Sequence, residues 1–229
     1  MEPTTVTTLS HKHFETPTMK PTIVIKIAAP KHIPSITAIQ THYACNSVLT
    51  FATSGLTEPE FQARYHNIVS ENQLPFLVAT LPAKTRNFEK TQDETEKSED
   101  VVLGYTYISP YRPNLQAYTH TGELSLFTHP DHLYKGVGSA LIKALLEACK
   151  KSRIKEVLAV MAVDVETRGG GLGLRDWYVG WGFREVGKME NVGWKFGRWV
   201  DVIFLQKHVE GKEDGQDTIE TRTTTAPAV

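Results

Sequence analysis

Apolar positions along the chain fall into two periods, and the alternation between them outlines the fold. Short apolar runs read as strands: "TIVIKIAA", "LPFLVATLP", "VVLGYTYISP", "GELSLFTHP", "EVLAVMAV" and two last runs near "REVGKME" and "RWVDVIFLQKH". Between them, "IPSITAIQTHYACNSV" places Ile36, Ile39, Tyr43 and Val48 at near-helical spacing, with Pro34 and Ser35 suited to its start. In "LTEPEFQARYHNIVSEN", Thr57 followed three residues later by Glu60 is a capping-box pattern that predicts a second helix. A third helix follows Gly136, with Leu141, Ile142, Leu145, Leu146 and Cys149 along one face. Strands interspersed with helices, antiparallel in style at the start, predict an α/β (α+β) domain around a mixed sheet.

That pattern occupies residues 22–209 and fades outside them. Residues 1–21 are rich in Thr and Pro, and residues 210–229 are polar, so both ends are expected to be disordered tails. A charged stretch at about residues 83–100 cannot bury itself and is expected to be a solvent-exposed hairpin insertion. The chain has 229 residues and a formal net charge of −1, which excludes the basic footprint of a nucleic-acid binder. No apolar run approaches the roughly 20 residues of a membrane span, and the N-terminus does not read as a secretory signal. Cys45 and Cys149 sit in apolar helical surroundings, so both are expected to be buried thiols in a reducing compartment, and the expected location is cytoplasmic. The "HKH" at His11–His13 lies in a tail and His129 and His132 flank a turn, so no metal site is expected.

The chemistry concentrates in "THPDHLYKGVGSALIKALLEACK". The first amides of a helix have no internal partner and, with the helix dipole, attract anions. Gly136 and Gly138 place no Cβ in the way, Ser139 adds a hydroxyl and Lys135 a charge, so a phosphate-bearing ligand fits this turn. A tight strand-to-helix turn, with glycines serving geometry alone, is the competing reading. The dinucleotide fingerprint is not completed, because position 141 is Leu.

The wider stretch, "ELSLFTHPDHLYKGVGSALIKALLEACK", resembles the acyl-CoA motif of the GNAT superfamily of N-acetyltransferases. "TFATSGLTEPEF", "SPYRPNLQAYTHTGELSLFTHPDH" and "GWKFGRWVDVIFLQK" are similar, in the same order, to its phosphinothricin acetyltransferase branch. The resemblance implies a mostly antiparallel mixed sheet with a central splay, flanked by helices, and acetyl-CoA as co-substrate. Its pantetheine arm is expected against the backbone of Leu126, Phe127 and Thr128. Its pyrophosphate is expected on the amides of Tyr134, Lys135, Gly136, Val137, Gly138 and Ser139. The sequence departs from the family at Leu133, where Gln or Arg is usual, and at "ETRGGGLGLRDW", which replaces an Asn-x-x-Ser stretch and leaves Thr167 as the nearest stand-in for the Asn.

Acetyl transfer needs a neutral amine, whereas α-amino groups have a pKa of about 8 and lysine-type amines about 10.4, so a base assists at neutral pH. The resemblance carries that role onto Glu123, the thiolate-protonating acid onto Tyr178, and the oxyanion-holding amide onto Phe127. It carries acceptor contacts onto Tyr111 and Arg112, whose guanidinium suits a carboxylate or phosphinate. Phe51, Tyr43, Tyr118 and Lys195 are candidate pocket walls. Trp194, Phe196 and Trp199 form either a pocket wall or the contact of the homodimer that the family implies. The expected activity is acetyl transfer from acetyl-CoA to the primary amine of a small amino acid-like acceptor, of phosphinothricin or methionine sulfoximine type. A detoxifying acetyltransferase for another amine, and a non-catalytic acyl-CoA-binding module, are the alternatives.

Overall fold

The computed structural model describes residues 22–82, 100–132 and 136–211. Seven strands form one sheet in the order β1-β2-β3-β4-β5-β7-β6. They are β1 (Val24–Ile27), β2 (Phe76–Leu81), β3 (Val101–Pro110), β4 (Thr121–Thr128), β5 (Glu156–Ala162), β6 (Arg184–Lys195) and β7 (Arg198–His208). Every neighbouring pair is antiparallel except β4 and β5, which run parallel. The helices are α1 (Ile33–Asn46), α2 (Glu58–His66, continued by a wider π-turn through Glu71), α3 (Val137–Cys149) and α4 (Gly173–Gly180). The tails and the charged insertion lie almost wholly outside the described residues. The strands that flank the insertion pair antiparallel, with Leu81 opposite Val101.

Local chemistry explains the helices. The Thr57 hydroxyl accepts from the Glu60 amide at 3.4 Å, while the Glu60 carboxylate accepts from the Thr57 amide at 2.7 Å, so the predicted capping box starts α2. In α3, Leu141, Ile142 and Leu145 are wholly buried. Each such side chain contributes on the order of 1.5–3 kcal/mol, enough to hold the helix start in a fixed place against the sheet. Helix α1 stops at Asn46, earlier than its apolar pattern suggested. Val48 lies beyond it and packs instead with Ala162 and Val200.

One expectation about the thiols is corrected. Cys149 is buried, but Cys45 is exposed, because α1 turns only its Ile33, Ile36 and Ile39 side into the core. The end of the sheet also differs from the expected pattern. Strand β6 continues past "REVGKME" to Lys195, and a two-residue turn at Phe196 (φ 49°) and Gly197 (φ 75°) returns directly into β7. Both residues have the positive φ that a tight right-twisted hairpin demands. No helix among the described residues is long and apolar enough to cross a membrane.

Candidate active site

The parallel pairing of β4 with β5 runs from Thr121↔Glu156 to Leu124↔Ala159 and then stops. Strand β4 continues to Thr128 along β3, and β5 continues to Ala162 along β7. The two central strands therefore part after Leu124, and a cavity of about 520 Å³ occupies the opening. Its lining brings together Phe51, Glu123, Leu126, Phe127, Thr128, Gly138 and Tyr178, which lie far apart in the sequence, along with Tyr43.

The β3–β4 register decides which backbone groups face this gap. Tyr111 donates to the Thr121 carbonyl at one end of the ladder, and His129 donates to the Leu103 carbonyl at the other, with unbroken pairing between. In an antiparallel ladder, hydrogen-bonded pairs alternate with non-bonded ones. The odd-numbered residues of β4 therefore bond β3, and Phe127 is matched with Tyr105. Leu126 and Thr128 turn their amides and carbonyls toward the gap. This corrects the expectation that the Phe127 amide holds an oxyanion or that its backbone pairs with a pantetheine arm. In the stretch that borders the opening, those free groups belong to Leu126 and Thr128. The Thr128 carbonyl already accepts from the Tyr43 hydroxyl at 3.0 Å, while the Phe127 ring packs against Tyr43 and Tyr105.

Helix α3 begins at the mouth of the gap. Its N-cap is Gly136, at φ 100°, a conformation in which any side chain would be strained. Gly136 brings no side chain to cap the first turn, where Val137, Gly138 and Ser139 present their amides. Gly138 lines the cavity, and a Cβ built there would lie 3.6 Å from the Trp177 ring. Trp177 and Leu174, on one side of α4, and Met161, on β5, are lining residues that sequence reasoning missed. The helical spacing of Leu174 and Trp177 is legible, but their placement across α3 depends on the packing of α4. Leu133, Tyr134 and Lys135 lie outside the described residues.

Glu123 is the third residue of β4, opposite Ser109 on β3 and Leu158 on β5. Burial raises its carboxyl pKa above the ordinary 4.5. Among the described residues no hydrogen bond or ion pair reaches that carboxylate. Tyr178, on α4, is 7% exposed and its hydroxyl also has no hydrogen-bond partner among the described residues; burial pushes its pKa upward. A carboxyl with raised affinity for protons and a phenol that stays protonated thus share one cavity.

Other candidates stand apart from the lining. Tyr111 and Tyr118 meet edge to face at 5.2 Å, and the Arg112 guanidinium lies 5.4 Å and 5.9 Å from their ring centres, just past the β3 end opposite Gly122. Thr167 is exposed, and its hydroxyl donates to the Asp164 carbonyl at 2.7 Å, closing a turn in the glycine-rich segment. Lys195 is buried rather than a wall of the cavity: its ammonium donates to the carbonyls of Thr50 and Ala52. Trp194, Phe196 and Trp199 are exposed on the hairpin and do not line the cavity.

Comparison with known proteins agrees with this geometry. The model of the acetyltransferase (GNAT) family matches residues 60–173. The phosphinothricin N-acetyltransferase of Alcaligenes faecalis is 28% identical over 183 residues, covering 80% of this chain and 81% of that protein. An L-methionine sulfoximine/L-methionine sulfone acetyltransferase of Pseudomonas paraeruginosa is 34% identical over 110 residues, 48% of this chain and 59% of that one. A crystal structure of a GNAT superfamily phosphinothricin acetyltransferase from Sinorhizobium meliloti, in complex with AcCoA, is 27% identical. It superposes with a TM-score of 0.67 over 88% of this chain and 97% of that one. The splayed sheet, the glycine start of α3 and these likenesses together identify the chain as an N-acetyltransferase that belongs to the GNAT family, in its phosphinothricin acetyltransferase-like branch.

Proposed function

We propose that the protein moves an acetyl group from acetyl-CoA to the primary amine of a small amino acid-like acceptor, of the phosphinothricin or methionine sulfoximine type. The observation that carries this reading is the opening between β4 and β5. It brings gap-facing backbone of Leu126 and Thr128, a half-buried carboxyl and a buried phenol to one cavity. The acetyl-CoA complex of the Sinorhizobium relative and the names of the Alcaligenes and Pseudomonas relatives support it. Leu126 and Thr128 hold the pantetheine arm as an added strand would be held, and the first amides of α3 hold the phosphates.

Glu123 takes a proton from the acceptor ammonium, directly or through a water. The neutral nitrogen attacks the thioester carbon, and the gap-facing amide of Leu126 stabilises charge growing on its oxygen. As the carbon–sulfur bond breaks, Tyr178 donates its proton to the thiolate, the attacking nitrogen gives up its second proton to water, and the phenolate regains a proton from water. The raised phenol pKa makes that donation more uphill than between free groups, but a thiolate in the same cavity is desolvated too and gains proton affinity with it. Arg112, cradled by Tyr111 and Tyr118 beyond the end of β3, grips the acid group of the acceptor. We read residues 22–209 as one acetyltransferase domain, cytoplasmic, that pairs with a second copy through the aromatic hairpin.

The test is release of free CoA thiol over a panel of amines that includes phosphinothricin, methionine sulfoximine and the free amino acids. Turnover confined to amines lacking an acid group would move the acceptor to another class of primary amine. Binding of acetyl-CoA without thiol release from any member would favour a non-catalytic module.

A further inference from the structure

We propose that Lys195 is a positioning residue: it fastens the acceptor-side wall of the cavity to the β6–β7 hairpin, and so sets the affinity for the amine without touching either substrate. The wall is the chain between α1 and α2. Residues 47–57 form no helix or strand, so this backbone has no ladder of its own, yet Leu49, Thr50 and Phe51 line the cavity. Its local bonds are long, with the Leu49 amide 3.3 Å from the Ser47 hydroxyl and the Ala52 amide 3.3 Å from the Thr50 hydroxyl. An irregular segment of this kind keeps one shape only if something outside it imposes that shape.

The ends are held from outside, Val48 by packing on Ala162 and Val200 and the Leu56 amide by the Gln40 side chain at 2.9 Å, and Lys195 supplies the constraint at the middle. It is 4% exposed, and its ammonium donates to the Thr50 carbonyl at 2.7 Å and the Ala52 carbonyl at 2.6 Å. Among the described residues no carboxylate pairs with it. Besides the two carbonyls the ammonium meets the Phe196 ring, 5.1 Å from its centre; a buried cation without a carboxylate is costly, and burial accordingly lowers its pKa. The anchor is nevertheless rigid. Lys195 closes β6, opposite Arg198 across the tight turn, and next to it Trp194 meets Trp199 edge to face at 5.1 Å.

A second contact acts on the same wall from the same face of the strand. Residues two apart on a strand point to one side. At Gly193, two residues before Lys195, a Cβ would come within 2.4 Å of the Phe51 ring, so that ring is seated on bare glycine backbone. Gly193 and Lys195 are buried and turn toward residues 50–52, while Trp194 between them faces outward. One face of β6 thus holds both the backbone and the ring of the wall.

The kinetic half of the test rests on the acetyltransferase reading; hydrogen exchange does not. In full-length K195M, amides of residues 49–54 are expected to exchange faster, while those of α1, β4 and Leu56, whose amide is held by Gln40, keep their rates. With phosphinothricin or methionine sulfoximine, whichever turns over, the acceptor KM is expected to rise by about 10-fold or more, as for a lost charge-assisted hydrogen bond. The Kd for acetyl-CoA should stay as in the parent. K195Q, which removes the charge but keeps a polar side chain, decides the matter by the same two readouts if K195M does not fold; G193A keeps the ammonium but displaces Phe51, and should raise the acceptor KM through the second contact. Unchanged exchange in a folded variant overturns the proposal, as does an equal loss of acetyl-CoA and acceptor affinity. If the parent acetylates neither amine, exchange alone decides: faster exchange confined to residues 49–54 supports the fastening, and unchanged exchange refutes it.

Discussion

Burial gives the Glu123 carboxyl more affinity for a proton, and the same burial weakens the fold around it. Its folded pKa lies above the unfolded value, so the native state binds the proton more tightly. The fold is therefore least penalised at pH below the unfolded pKa, and stability is lost as pH rises through the folded one. Glu123→Gln removes that titration. We expect its Tm to exceed that of the parent at pH 7 and the difference to close as the pH falls below 4.5, read by calorimetry across pH. Turnover should move the opposite way, falling by about 10²–10⁴ at neutral pH, with a smaller loss at higher pH where the amine deprotonates itself. A loss of turnover independent of pH would assign Glu123 a structural role. Tyr178→Phe is expected to slow acetyl transfer while leaving acetyl-CoA affinity nearly unchanged in a binding titration. Full activity would take Tyr178 out of the mechanism.

At the scale of elements, the site is the place where two strands and one helix each fail to complete a pattern. Strands β4 and β5 stop pairing at Leu124 and Ala159, and α3 begins without a side-chain cap. Unsatisfied backbone groups of this kind must find partners, and a ligand with an amide-rich arm and phosphates provides them. The two glycines at the start of α3 have different duties. Gly136 is required by its φ of 100°, whereas Gly138 is in ordinary helix, where a Cβ would meet only the Trp177 and Leu126 side chains. Gly138→Val is thus expected to fold and to lose acetyl-CoA binding, because the branched side chain projects into the cavity mouth. Unchanged affinity by isothermal titration of a folded variant would sink the assignment of phosphates to this turn.

For the whole molecule, the β6–β7 hairpin carries apolar surface that the site does not account for. Trp194, Phe196 and Trp199 are 58%, 59% and 58% exposed, and Val186, Met189 and Val192 continue the apolar surface along β6. Aromatic surface of this kind marks a contact with a partner. We expect sedimentation at micromolar concentration to give a dimer for the parent chain and a monomer for the double variant Trp194→Ser, Phe196→Ser. A monomeric parent would refute the assembly. Because Lys195 sits between these aromatics, the proposed dimer contact and the proposed acceptor wall would share one strand.

What the sequence determined by itself was local. The Thr57–Glu60 box, the apolar stripe of α3, the strand runs and the glycine turn follow from neighbours within a few residues, where backbone geometry and side-chain chemistry are read directly. Glu123 and Tyr178 were legible only through resemblance, since neither has a local pattern that distinguishes it from a surface carboxylate or a core aromatic. The tertiary structure alone decided which amides face the gap, because the orientation of Leu126 and Phe127 depends on how β4 registers with β3. It moved Cys45 to the surface, turned Thr167 into part of a turn, and took Lys195 out of the pocket to hold carbonyls 143 and 145 residues away in sequence. Contacts across that separation are fixed by how the sheet closes around its core, which no periodicity within a single segment encodes.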